Sequence, residues 1–247
     1  MKPSTNIKHD QHSVFQQNNI YAIYDPKLVT NFDPKMLSPK YWQDRDAVIG
    51  QAQGRGITYF VENNSHQWVL RHYYRGGLIG KFNKDSYLFT GYETTRAAKE
   101  YQLLQRLIEL NLPAPKPVAY AINRSGIFYH ASILTSRIED ALDLVGLLSK
   151  SPLADSIWYA IGQCIANFHK QGIYHHDLNA HNLLIDKNNK VWVIDFDQGE
   201  QRIAQQNWQQ ANIKRLLRSF KKEKQKLPTF YWQLSDWKIL LEGYLSR

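Results

Sequence analysis

Residues Ile173 to Asp197 read IYHHDLNAHNLLIDKNNKVWVIDFD. Asp177 and Asn182 lie five positions apart in a short polar segment, and Asp195 follows eighteen positions after Asp177, at the end of an apolar run. The pattern between them predicts a hairpin, with Leu183-Leu184-Ile185 as one strand, Asp186-Lys187-Asn188-Asn189 as the turn and Val191-Trp192-Val193-Ile194 as the second strand. This order suits phosphoryl transfer. An attacking hydroxyl needs a carboxylate to orient it and take its proton, and nucleotide phosphates need Mg²⁺ held by oxygen ligands. On that chemistry Asp177 is the candidate base, and Asn182 and Asp195 are the candidate metal ligands.

Outside this stretch, composition sets bounds. A chain of 247 residues makes one large or two small domains, and a 43% hydrophobic, 13% aromatic composition can bury a substantial core. The single cysteine, Cys164, excludes an internal disulfide, and its neighbours Ile161, Ile165 and Phe168 mark it as a helix core residue, which points to a cytosolic redox compartment. The first residues, MKPSTNIKHDQHS, lack the apolar centre of a signal peptide, and no later apolar run reaches the ~18 residues of a membrane span. The expectation is a protein neither exported nor membrane-spanning. A formal charge of +9 calls for an anionic partner, whether a phosphorylated substrate, a membrane surface or nucleic acid.

Upstream, residues 1–46 hold turn chemistry such as Tyr24-Asp25-Pro26 and Asn31-Phe32-Asp33-Pro34, and read as a loop-rich lead-in with one strand at Ile20 to Tyr24. Strand-like segments follow at Ala47 to Ala52, Ile57 to Glu62 and Trp68 to Tyr73. The segment Thr94 to Leu110 predicts a helix with Ala97, Tyr101, Leu104, Leu107 and Ile108 along one face. Glu100 lies on or beside that face, where a lone carboxylate is costly, so a cationic partner is expected, and Arg71 is the candidate. Beyond a proline-rich turn, strands are expected at Val118 to Ile122 and Gly126 to Thr135, then helices at Ala141 to Leu148 and Pro152 to Gln171, the latter ended by Gly172. After Asp197, Ile213, Leu216, Leu217 and Phe220 repeat at helical spacing beside Lys and Arg. That is either a basic amphipathic helix suited to an anionic surface or a core-packed helix with a solvated basic face.

The motif pair His175-His176-Asp177-Leu178 to Asn182 and Asp195-Phe196-Asp197 resembles the catalytic-loop and metal-binding motifs of protein kinases. The resemblance implies an α+β, two-lobed protein-kinase-like fold, with a small antiparallel-sheet N-lobe carrying one helix and a reduced helical C-lobe. It divides the chain into a lead-in (1–46), an ATP-binding N-lobe (47–137) and a catalytic C-lobe (138–247). It also implies that Gly54 and Gly56 border a loop covering the ATP phosphates. Arg71, where the family carries a strand Lys, would contact phosphate and pair with Glu100, with Lys81 as the rival phosphate contact. More narrowly, WVLRHYYRGGLIGK, TTRAAKEYQLL, YHHDLNAHNLLID and VIDFDQGE are similar to the bacterial lipopolysaccharide kinase family. That resemblance implies ATP- and Mg²⁺-dependent phosphorylation of the 4-hydroxyl of 3-deoxy-D-manno-octulosonic acid (Kdo) on a lipid A precursor. The enzyme would act as a monomer at the anionic cytoplasmic face of the inner membrane, with no nucleic-acid partner. Two other readings stay open at this point: a minimal atypical Ser/Thr protein kinase, and an inactive kinase fold binding an anionic membrane or RNA. The first is disfavoured by the absence of any A-P-E and by the short chain after Asp197. The second is disfavoured because Asp177, Asn182 and Asp195 are all present.

Overall fold

A computed structural model describes residues 12–53, 56–74 and 85–246. The chain forms two compact units, one of Met1–Tyr101 with Lys116–Arg137 and one of Gln102–Pro115 with Ile138–Arg247.

The first unit is built on an antiparallel sheet. Its strands are β1 (Ser13–Gln17), β2 (Ile20–Tyr24), β3 (Val48–Gln53), β4 (Ile57–Asn63), β5 (His66–His72), β6 (Tyr87–Leu88), β7 (Pro117–Ser125) and β8 (Phe128–Ser136), with a short helix α1 (Pro39–Gln43) before β3. The sheet order is β1-β2-β7-β8-β5-β4-β3, with β6 pairing the far end of β8. The lead-in is therefore more ordered than its turn-rich sequence predicts. It contributes two strands, not one, joined at Asn18, whose φ of 52° is a conformation Asn tolerates in tight turns. Past β2, the residues Val29, Met36, Leu37 and Trp42 pack against Val61, Trp68 and Leu70 of the sheet. The Trp42 indole N–H is satisfied by the Met36 carbonyl at 2.7 Å. Scattered apolar residues without a period carried no signal, because their partners come from distant strands.

Helix α2 (Arg96–Glu109) buries Ala97, Tyr101, Leu104 and Leu107 along one stripe, as its spacing predicts. Strand β5 alternates, so Trp68 and Leu70 point into the core while Arg71 faces the other side.

The second unit holds β9 (Ala141–Asp143), α3 (Leu144–Leu148), α4 (Asp155–Lys170), β10 (Ile173–Tyr174), β11 (Leu183–Asp186), β12 (Val191–Val193), β13 (Glu200–Gln201), α5 (Gln206–Lys226) and α6 (Leu234–Leu245). The expected helix from Ala141 starts three residues later. Ala141 to Asp143 pair with Asp186 to Leu184 as a third strand beside the predicted hairpin, and Asp143 caps α3 by accepting from Val145 and Gly146 backbone N–H groups at 2.9 and 3.0 Å. The hairpin turn is fixed by Asp186, whose carboxylate accepts from Asn188 N, Lys190 N and the Trp192 indole. Gly172 ends α4 with φ 74°, and a Cβ there would sit 2.1 Å from the Arg202 carbonyl oxygen. Cys164 is buried, as its neighbours predict.

His169, in the last turn of α4, is buried, with Nδ1 2.8 Å from the Tyr244 hydroxyl of α6. Burial pushes its pKa down from 6.5 to about 4. The unfolded chain then binds more protons than the folded one between those values, so stability is lost as pH falls through that window. The urea midpoint is expected to fall between pH 6.5 and 5, before ordinary carboxylates titrate. The Asp143 carboxylate, 3.6 Å from the ring, raises the pKa of His181, so that group acts above pH 6.5 and does not offset the loss. A flat midpoint over that range would contradict the assignment.

Candidate active site

Strand β10 delivers the chain into residues 175–179, a single 3₁₀ turn (Ala180–Asn182) follows, and β11 leads away. Such a polar loop holds one shape only if its backbone groups are all spoken for. His175 does much of this. Its Nε2–H donates to the Ile194 carbonyl at 3.0 Å, and its Nδ1 accepts from the Asp177 backbone N–H at 3.2 Å. A carbonyl can only accept and a backbone N–H can only donate, so the imidazole is the neutral Nε2–H tautomer. Burial, which holds its pKa below the ordinary histidine value, agrees with this. The Asp177 carbonyl in turn accepts from the side-chain amides of Asn179 at 2.9 Å and Asn182 at 3.0 Å. The Asn182 carbonyl accepts from Ile194 N at 3.0 Å. Five hydrogen bonds thus tie His175, Asp177, Asn179, Asn182 and the residue before Asp195 into one constellation, as the sequence spacing anticipates.

Two details bear on chemistry. Because the Asn182 amide nitrogen is committed to Asp177, its Oδ1 is turned to the opposite side, where it can serve as an oxygen ligand. Asp195 has φ 61°, in the left-handed region that non-glycine residues adopt at a cost of ~1–3 kcal/mol, and such strain concentrates at functional positions. A carboxamide oxygen with one carboxylate suits Mg²⁺, which is commonly held by one or two carboxylates plus substrate phosphates and water. Among the described residues no cluster of three His, Cys, Asp or Glu side chains converges as a dedicated metal cage.

Helix α5 clasps this loop, and sequence reading missed the clasp. Asn212 Oδ1 accepts from His175 N at 3.3 Å, and its Nδ2 donates to His175 O at 3.0 Å. Arg215 Nη1 donates to Asp177 Oδ1 at 3.0 Å, Ser219 Oγ accepts from Ala180 N at 3.0 Å, and Glu223 Oε1 lies 3.7 Å from His181 Nε2. Spacings of three, four and four keep these residues on one helix face, so the helix reads the loop in order. The available signal was a buried-type spacing occupied by Asn212 and Ser219 among apolar residues. On the same helix Ile213, Leu216 and Phe220 are buried, Phe220 stacking on Trp232, so Phe220 is a core residue and not an outward-facing one. Lys214, Arg218, Lys221, Lys222, Lys224 and Lys226 are exposed.

In the first unit, Glu100 is nearly fully buried on α2 and is paired with the Arg71 guanidinium, its second oxygen accepting from the Tyr73 hydroxyl at 2.7 Å. The costly carboxylate on the apolar stripe is compensated by the partner the sequence nominated. A Cβ at Gly56 would lie 2.1 Å from the Tyr74 ring, so any larger residue there would have to displace that side chain. Gly54 and Lys81, the other expected phosphate contacts, lie outside the described residues.

The sequence from residue 39 to residue 244 matches the family described as lipopolysaccharide kinase (Kdo/WaaP). The chain belongs to that family. It is 43% identical to a 3-deoxy-D-manno-octulosonic acid kinase of Vibrio parahaemolyticus over 93% of this chain and 95% of that one. It is 42% identical to the enzyme of the same name from Haemophilus influenzae over 93% of this chain and 98% of that one. Among solved structures, the kinase PK-1 of Cydia pomonella granulovirus is 15% identical, with a TM-score of 0.43, covering 68% of this chain and 57% of that one. As a member of the Kdo/WaaP family the protein is a kinase: it has a protein-kinase-like α+β fold and uses ATP to phosphorylate a hydroxyl. Among its described residues no helix is long and apolar enough to cross a membrane.

Proposed function

We propose that this enzyme transfers the γ-phosphoryl group of ATP to the 4-hydroxyl of a Kdo residue on a lipid A precursor, in lipopolysaccharide core biosynthesis. The observation that carries this reading is the 43% identity, over nearly the whole of both chains, to a kinase named for that sugar acid. Residues 47–137 serve as the ATP-binding lobe and 138–247 as the catalytic lobe. Asp177 accepts the hydroxyl proton as that oxygen bonds to the γ-phosphorus; the bond to the β–γ bridging oxygen breaks and ADP leaves. Asn182 and Asp195 would hold Mg²⁺, which would supply charge neutralisation to the nucleotide phosphates. Arg71, paired with Glu100, contacts phosphate oxygens, a role that a guanidinium fork suits better than an ammonium would. Turnover of purified protein with ATP, Mg²⁺ and a Kdo-bearing lipid, against none with a generic protein acceptor, is the expected outcome. Phosphorylation of the protein alone would reverse the reading. Arg71→Ala is expected to raise the KM for ATP.

The acceptor is lipid-borne, so the enzyme must work at an anionic surface. The exposed basic residues of α5 fit that task by charge, with attraction screened over a Debye length of ~8 Å at physiological ionic strength. Neutralising Lys214, Arg218, Lys221 and Lys222 together is expected to reduce co-sedimentation with anionic vesicles at low salt. It should also raise the KM for lipid-borne acceptor and leave the KM for ATP unchanged. Vesicle binding that survives the fourfold change would remove α5 as the membrane contact. We take the working unit to be a monomer, checked by a solution mass near 28.9 kDa.

A further inference from the structure

The Arg215–Asp177 bond poses a chemical question. Both side chains are 42% exposed, and among the described residues Asp177 is the one hydrogen-bond or ion-pair partner of Arg215. A guanidinium has five N–H donors, and the bond to Asp177 uses one edge of a planar fork shaped to take carboxylates. The pair is only half-buried, so the rest of the guanidinium faces solvent, where a ligand can reach it. The segment from Asp177 to Asn182, DLNAHN, contains no Lys or Arg, so α5 supplies the positive charge that the loop lacks.

The acceptor gives that open edge a use. A sugar acid must bring its hydroxyl to Asp177 while carrying a carboxylate of its own, close to a second carboxylate and to the ATP phosphates. Taking that anion out of water without a cation is costly, and placing it unscreened beside Asp177 adds repulsion. A guanidinium bonded to Asp177 on one edge and to the substrate acid on the other resolves both problems and sets the distance between acid group and reacting hydroxyl.

We propose that Arg215 binds the carboxylate of the acceptor sugar acid, held ready by Asp177, and thereby makes the enzyme specific for an acidic sugar over a neutral one. This deepens the function proposed above and rests on Asp177 lying where the acceptor hydroxyl reacts. The test is a cycle between enzyme and substrate, using a soluble Kdo glycoside and the same glycoside with its carboxylate converted to the primary amide. The wild-type enzyme is expected to lose roughly ten- to hundredfold in acceptor kcat/KM on going from acid to amide, the value of a charge-assisted pair. In Arg215→Gln that ratio collapses toward one, with the KM for ATP unchanged, and Arg215→Lys recovers part of it. A merely structural role would lower both substrates equally, and that result, or an unchanged ratio, would overturn the proposal. If Arg215→Gln does not fold, the wild-type ratio and the Arg215→Lys ratio still decide, since a neutral sugar handled as well as the acid refutes the anchor. Asp177→Asn separates the two readings: full turnover in that variant removes the base, whereas the acid-to-amide ratio tests the anchor alone.

Discussion

Asp177→Ala is expected to lower turnover by ~10²- to 10⁴-fold, the usual worth of a positioned general base, with little change in the KM for ATP. The loop should survive the change, because it is the backbone of Asp177 that holds it together. Its N–H is bound by His175, and its carbonyl by Asn179 and Asn182. The side chain bonds only Arg215 among the described residues, in a half-exposed pair of the kind worth ~1 kcal/mol or less. The melting temperature should therefore move by no more than about 4 °C, the shift such an energy produces in a chain of this size. A fall in turnover accompanied by unfolding would say that the variant reports on structure, and wild-type turnover would take the base assignment away from Asp177.

The second large effect belongs to stability. Gly162 in α4 faces α6 so closely that a Cβ there would lie 2.0 Å from the Leu240 carbonyl oxygen and 2.6 Å from the Tyr244 nitrogen. Gly243 in α6 meets the Tyr159 carbonyl oxygen at 2.1 Å in the same way. Both obstacles are backbone, so neither can swing aside, and the two helices would have to part. Trp158, Ile161 and Ile165 on α4, and Leu240 on α6, would then lose packing. Gly162→Ala gains back the ~1 kcal/mol of helix propensity that glycine forfeits, yet a net loss of about 3 kcal/mol is expected from the forced separation. That corresponds to a melting temperature lowered by roughly 10 °C in a chain of this size. Gly146→Ala is the control. Its nearest neighbour would be Asp143 Oδ2 at 3.6 Å, an ordinary contact, so it should be neutral or slightly stabilising. Equal melting temperatures for the two variants would refute the close-packing argument.

The outcome for α5 shows what periodicity can and cannot say. Its apolar spacing and basic flank were legible, and they fit a membrane helix and a core helix equally well. Burial of Ile213, Leu216 and Phe220 assigns the apolar face to the core. The exposed Lys and Arg side chains still fit an anionic surface, now by charge alone. Arg215 read as one more basic residue in that run, because nothing local distinguishes an arginine facing solvent from one facing Asp177.

The sequence by itself determined the hairpin from Leu183 to Ile194, the Asp177, Asn182 and Asp195 spacing, the α2 stripe and the need of Glu100 for a cation. Each of these follows from interactions between residues near one another in the chain, or from the cost of a charge at a buried period. Only the tertiary structure decided that the lead-in adds two strands to the sheet, that Ala141 to Asp143 extend and do not coil, and that α5 reads the catalytic loop through Asn212, Arg215, Ser219 and Glu223. In all three the deciding partner lies tens of residues away. Strand pairing and side-chain hydrogen bonds are satisfied by whichever group the fold brings near, and that choice leaves no mark on local spacing.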